Sequence, residues 1–181
     1  METKAGALDR IRNFGGDMSG RVMPDLGAFV GWGLLAALFI PTGWIPNEKL
    51  NEMVGPILNY LLPLLIGYTA GYNIHGQRGG VIGAFTTMGV IVGSDITMFS
   101  GAMIMGPFSS WLLKKFDHAV EGKIKPGFEM LINNFSLGIL GFALAILGYL
   151  IIGPVVNAII AFLTAGINFL IAKKLIPLLA V

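Results

Sequence analysis

Asp95 is the residue whose setting most calls for an explanation. It lies in the middle of the apolar stretch Gly79 to Leu113, with Ser94, Thr97 and Ser100 around it and Phe99 close behind. An ionisable side chain in hydrocarbon costs ~2.5–3.5 kcal/mol on insertion scales, so it normally faces protein or water. A carboxylate accepts hydrogen bonds, hydroxyls both donate and accept, and an aromatic ring covers a carbon face. Asp95, Thr97 and Phe99 together therefore suit a polyol or sugar. The plainer reading puts Asp95 at the outer membrane–water boundary, in a turn between two short spans.

A second set of polar groups opens a later apolar run. Glu129, Asn133 and Asn134 enter it, with Phe128 and Phe135 nearby. Glu129 and Asn133 are four apart and share a helix face. A carboxylate and amides can hold several hydroxyls while Phe135 covers a chain of carbons. The alternative is structural: Glu129 offsets the helix dipole in the first turn, and the Asn side chains tie helices together. His75 falls in the turn Asn73–Arg78, where a lone His is most often solvated. The Gly-rich run Gly76–Gly80 lacks the Gly-Lys-Ser/Thr that a phosphate loop requires.

The absences narrow the chemistry. The sequence contains no cysteine, so it offers no disulfide, thiolate metal site or cysteine nucleophile. Its two histidines, His75 and His118, are far apart in sequence, which makes a zinc site unexpected. No cofactor is expected. A net charge of +2 gives no surface for nucleic acid.

The elements that must position these groups are membrane helices. Of the 181 residues, 55% are hydrophobic and only 12% charged, against about 25% charged in soluble domains. Mean hydropathy is +0.77. The expected architecture is all-α and integral to the membrane: a single domain over 1–181 with about six hydrophobic spans. A surface amphipathic helix over 1–21 precedes them, because Ala7, Leu8, Ile11, Met18 and Val22 recur at helical spacing among polar residues. The spans are Val22–Ile40, Val54–Tyr72 with a kink at Pro63, a short pair or a short span plus re-entrant hairpin within Gly79–Leu113, Met130–Ile152 and Val155–Ala172. Pro41–Pro46 ends the first with Trp44 at the interface. Gly93–Thr97 divides the short pair, Lys114–Pro126 is a polar loop, and Gly153–Pro154 separates the last two. Gly-x-x-x-Gly spacings at Gly27/Gly31, Gly67/Gly71, Gly79/Gly83 and Gly89/Gly93 predict close helix packing within the bundle, or a subunit contact.

Lys and Arg accumulate on the cytoplasmic side of membrane proteins. If Gly79–Leu113 goes out and back, every basic residue of the 12 except Lys49 lies on one side. Both termini are then cytoplasmic.

Five segments resemble the mannitol permeases, the membrane (IIC) components of the bacterial sugar phosphotransferase system. They are MPDLGAFVGW at 23–32, FIPTGWIPN at 39–47, LLPLLIGYT at 61–69, RGGVIGAFTTMGVIVG at 78–93 and KIKPGFEMLINNFS at 123–136. The resemblance covers nearly the whole chain. It implies a multi-pass inner-membrane protein that takes mannitol or a related polyol across, with phosphorylation by a IIB phosphocysteine that a IIA domain recharges. It also implies a homodimer. The family's membrane domain is about twice as long, and its second half carries a Gly-Ile-His-Glu type motif that is absent here. The resulting expectation is an N-terminal half that needs a complementary half, with a non-transporting scaffold or remnant as the alternative and a small-solute channel as a weaker third.

Overall fold

The computed structural model describes residues 25–121 and 127–172. The amphipathic helix expected over 1–21 lies outside them. Among the described residues there are helices and turns, and no strand.

Helix α1 spans Leu26–Phe39. At its end the chain folds back on the last turn. Gly43 sits so close that a Cβ there would meet the Ala37 and Leu38 carbonyls at 2.8 Å. The peptide N–H groups of Trp44 and Ile45 donate to those same carbonyls. Trp44 is 88% exposed, as an interfacial anchor requires. Asn47 then caps the short helix α2, Glu48–Asn51, its side chain accepting from the Leu50 N–H at 3.2 Å. Helix α3, Val54–Pro56, runs through a π-helical turn, π1, Ile57–Leu61, into α4, Leu62–Val92.

Helix α4 is a hairpin. His75 (φ −142°, ψ 35°) and Gly76 (φ 57°) leave helical geometry, and the positive φ at Gly76 is one glycine adopts without strain. On a straight helix Gly67 and Gly83 would be ~24 Å apart. Here a Cβ on Gly67 would touch Thr87 and the Gly83 carbonyl, and one on Gly71 would fall on the Gly79 carbonyl. The two limbs therefore pack backbone to backbone through two of the Gly-x-x-x-Gly pairs. The expected Asn73–Gly79 loop is in fact this tight reversal.

Helix α5, Phe99–Val120, lies against both limbs. Thr86 donates to Ser109 at 3.0 Å, and Ser110 donates to the Gly71 carbonyl at 2.8 Å. All three hydroxyls are fully buried and bonded. The apolar core of Ile82, Val90, Met98, Met105 and Leu113 runs along this seam. The second limb of α4 and α5 are divided at Gly93–Met98, where the chain reverses. The polar loop expected from Lys114 begins later. No Gly or Pro interrupts Lys114–Val120, so α5 continues for two more turns.

Helix α6, Glu129–Leu147, runs parallel to the second limb of α4, with Gly89 against Ala145 and Gly93 against Tyr149. The expected break at Gly153–Pro154 does not occur. A second π turn, π2, Gly148–Ile152, leads directly into α7, Gly153–Ala172. Each π turn ends two residues before a proline, Pro63 or Pro154. A π turn shifts the bonding to i→i+5, which relieves the clash and the missing donor that proline imposes on an α ladder. Proline is thereby absorbed without a reversal. Two helical stretches, Glu48–Val92 and Glu129–Asn168, are long and apolar enough to cross a membrane, and Leu26–Phe39 is a shorter apolar helix. Helix α1 is held to α3 by the Trp32 Nε1–H donating to Val54 O, and its N-cap to the first limb of α4 by the Thr69 hydroxyl donating to buried Asp25, both at 3.0 Å.

Candidate functional site

The polar residues fall at two opposite ends of the bundle. The second limb of α4 separates them by ~25 Å at the helical rise. The hairpin end contains the His75–Gly76 turn, the last turns of α5 and the start of α6. The loop end contains Gly93–Met98 and the two π turns.

At the hairpin end the reversal places His75 just before the second limb and Arg78 one turn into it. Helix α5 brings Asp117 between them. His75 Nε2 lies 2.6 Å from Asp117 Oδ2, and Arg78 donates to Asp117 Oδ1 at 2.9 Å. The same guanidinium nitrogen reaches Ser136 on α6 at 3.2 Å. Asp117 and Arg78 keep 21% and 28% of their side-chain surface, so the pair is shielded but not dry. The Lys114 ammonium reaches the Ile74 carbonyl at 3.5 Å, covering one of the acceptors the reversal leaves open. Glu129, Asn133 and Ser136 follow one face of α6 at intervals of four and three. With His75, Arg78 and Asp117 they line a cavity of about 500 Å³, within the usual range of small-molecule sites, about 300–1,000 Å³. The guanidinium is matched by Asp117, and Glu129 and Asn133 add a carboxylate and an amide to the cavity wall.

At the loop end Thr97 donates to Asn59 Oδ1 at 2.8 Å, and Ser94 donates to Asn157 Oδ1 at 2.8 Å. Ser94 also accepts from the Ile96 N–H at 3.2 Å, which closes a local turn. Asp95 projects from that turn and is exposed. It borders two recesses, of about 470 Å³ toward Asn59 and about 300 Å³ toward Tyr149.

The sequence candidates are thus not one site. Asp95 and Thr97 share the loop end, and Glu129 and Asn133 share the hairpin-end cavity. Phe99 packs against Phe29, ring centroids 5.7 Å apart and planes tilted by 40°, and lies outside the recess lining. Asn134 and Phe135 are exposed on α6, outside the cavity. Sequence reasoning missed Arg78, Asp117 and Ser136. The available signal was that α5 stays helical past Leu113, which carries Asp117 toward the basic turn at Arg78.

The comparisons with known proteins agree on one family. Residues 19–181 match the family model described as Phosphotransferase system, EIIC. The mannitol-specific EIICBA component of the phosphotransferase system of Escherichia coli is 57% identical over 172 residues, 95% of this chain and 27% of that protein. The mannitol-specific EIICB component of Geobacillus stearothermophilus is 56% identical over 177 residues, 98% of this chain and 38% of that protein. That of Streptococcus mutans is 55% identical over 179 residues, 98% and 30%. The chain spans from 27% to 38% of the length of these relatives. No solved structure matches.

Proposed function

The chain belongs to the phosphotransferase system EIIC family, and we propose that it is the N-terminal portion of the membrane component through which a bacterium takes up mannitol. The observation that carries this reading is the 57% identity over 95% of the chain to a mannitol-specific component. The hairpin-end cavity supports it: Glu129 and Asn133 supply an acceptor and an amide on one helix face, beside a neutralised guanidinium. A hexitol is neutral and offers hydroxyls on every carbon, which suits such a wall better than an anion does.

The sequence has no cysteine, so a phosphocysteine must come from a IIB unit, which IIA recharges in turn. The relatives carry those letters in their names, EIICBA and EIICB. The family's Gly-Ile-His-Glu segment must likewise be supplied by a complementary half. A homodimer is part of the proposal. Among the described residues a Cβ added at Gly27 or Gly31 would have nothing within 4 Å, and this face of α1 is the one proposed to meet a helix from another subunit.

The protein sits in the inner membrane with the hairpin end cytoplasmic. Arg78, Lys114 and Lys115 gather there, while Lys49 lies toward the other end. A six-span path with both termini cytoplasmic needs a reversal at Gly153–Pro154, and the helix that continues through π2 does not supply it. Reporter fusions at residues 50 and 120 are expected on opposite sides, and same-side results would refute this orientation.

The functional test uses membrane vesicles supplied with the soluble phosphotransferase proteins and phosphoenolpyruvate. Vesicles holding this chain plus the remaining part of a mannitol-specific relative are expected to accumulate labelled mannitol phosphate. Vesicles with either polypeptide alone should accumulate none. No product from the pair, where the intact relative works, overturns the proposal.

A further inference from the structure

The loop end holds a second set of groups that the hairpin-end cavity does not use. Asn59 and Tyr60 are consecutive, yet both line the same recess, with Ser94, Asp95 and Thr97 across from them. The π turn Ile57–Leu61 is what presents them, and such turns are frequent at functional sites. The Thr97 hydroxyl occupies the Asn59 carbonyl at 2.8 Å. That bond fixes the amide plane, and the two N–H donors of Asn59 have no partner among the described residues. Asp95 is exposed, and its carboxylate makes no hydrogen bond among the described residues. Tyr60, 46% exposed, adds a ring face and a phenol.

We propose that the recess of Asn59, Tyr60, Asp95 and Thr97 is a capture subsite for neutral polyols, on the membrane face opposite the hairpin end. The proposal rests on the polyol reading above and adds a second station to it. A vicinal diol presents hydroxyls that each donate and accept. The recess offers a group that only donates, the Asn59 amide nitrogen, and one that only accepts, the Asp95 carboxylate. The Tyr60 ring covers the carbon chain between them. No cationic side chain among the described residues lines the recess, so a phosphorylated polyol is disfavoured by the carboxylate. The site then distinguishes incoming substrate from product. Its volume of about 470 Å³ lies within the range of small-molecule sites, about 300–1,000 Å³.

The absence of cysteine in the sequence makes a direct test simple. Ile96 lines the recess and is 41% exposed. Ile96→Cys is placed in the full chain, in cell membranes, and its modification by a membrane-impermeant maleimide is timed from the outside. Mannitol is expected to slow modification saturably, to about a tenth of the starting rate at about ten times the half-effect concentration, by mass action. Adding Asp95→Asn should raise the half-effect concentration about tenfold, the loss of one charged acceptor. Betaine at equal osmolality should do nothing. Leu150→Cys, in the neighbouring recess and 62% exposed, should be modified at a rate independent of mannitol. Ser94→Cys, also in the recess lining, replaces Ile96→Cys as reporter if the latter fails to reach the membrane. An unchanged rate in the recess, or equal slowing at Leu150→Cys, overturns the subsite. Protection without mannitol phosphate accumulation in the paired vesicles would remove the uptake function and leave the recess standing. Accumulation without protection removes the recess alone.

Discussion

Asp95 and Asp117 look alike in the sequence: each is a lone carboxylate beside an apolar run. The structure gives them opposite circumstances. Asp117 at the hairpin end is enclosed by His75 and Arg78, at 2.6 and 2.9 Å. Both of its oxygens are engaged in holding the turn of α4 against α5. Asp95 at the loop end is exposed, and the loop around it is fastened by neutral bonds instead, Thr97 to Asn59 and Ser94 to Asn157. Where a charge ties elements together it is consumed by the fold. Where hydroxyls and amides do the tying, the charge stays available to a ligand. The two aspartates thus differ in that Asp117 is held by an ion pair and Asp95 is left without a partner among the described residues.

The sharpest way to break this contrast is through stability. Asp117→Ala leaves the Arg78 guanidinium shielded and without its anion. Breaking a buried pair costs ~3–5 kcal/mol, and the remaining exposure of this one argues for the lower end. Asp95→Ala should leave stability unchanged. Thermal unfolding of the two variants in detergent checks it, and equal destabilisation would erase the distinction.

Affinity is the converse measurement. In membranes that pair this chain with a complementary half, Asp95→Ala is expected to weaken mannitol binding about ten- to a hundredfold, the ~1.5–3 kcal/mol of a hydrogen bond to a charged acceptor. Phe142→Ala is the control. It lies on the apolar outer face of α6, 62% exposed, and should alter stability more than affinity. Titration of labelled mannitol decides, and unchanged affinity in the Asp95 variant would reduce that residue to a turn group.

The smallest effects come from the neutral groups. Thr97→Val removes the bond that orients Asn59 and should weaken binding about fivefold, a neutral hydrogen bond being worth ~1 kcal/mol. Asn134→Ala, exposed on α6 and outside the cavity, should change affinity by less than that. If Asn134→Ala weakens binding more than Thr97→Val in the same titration, the ligand contacts α6 on a face other than the one assigned.

Much of this was determined by sequence alone. A composition that is 55% hydrophobic and 12% charged demands a membrane, because no core of this size could bury it. The Gly67/Gly71 and Gly79/Gly83 spacings required close backbones, and they meet each other. The breaks at Asn73–Gly79 and Gly93–Thr97 were readable because Gly and polar residues interrupt apolar runs. Other features depended on tertiary structure. Pro154 read as a break, yet a π turn carries the helix past it, since i→i+5 bonding tolerates what an α ladder does not. Asp117 read as loop, and its role required α5 to continue beyond Leu113 and meet a reversal 39 residues earlier at Arg78. Asn59, Tyr60 and Thr97 carry no shared pattern along the chain. Only the packing of π1 against the Gly93–Met98 loop puts an amide, a ring and a carboxylate around one space. Periodicity reports which face of a helix is apolar. It does not report which polar residue of one helix end will find a partner on another.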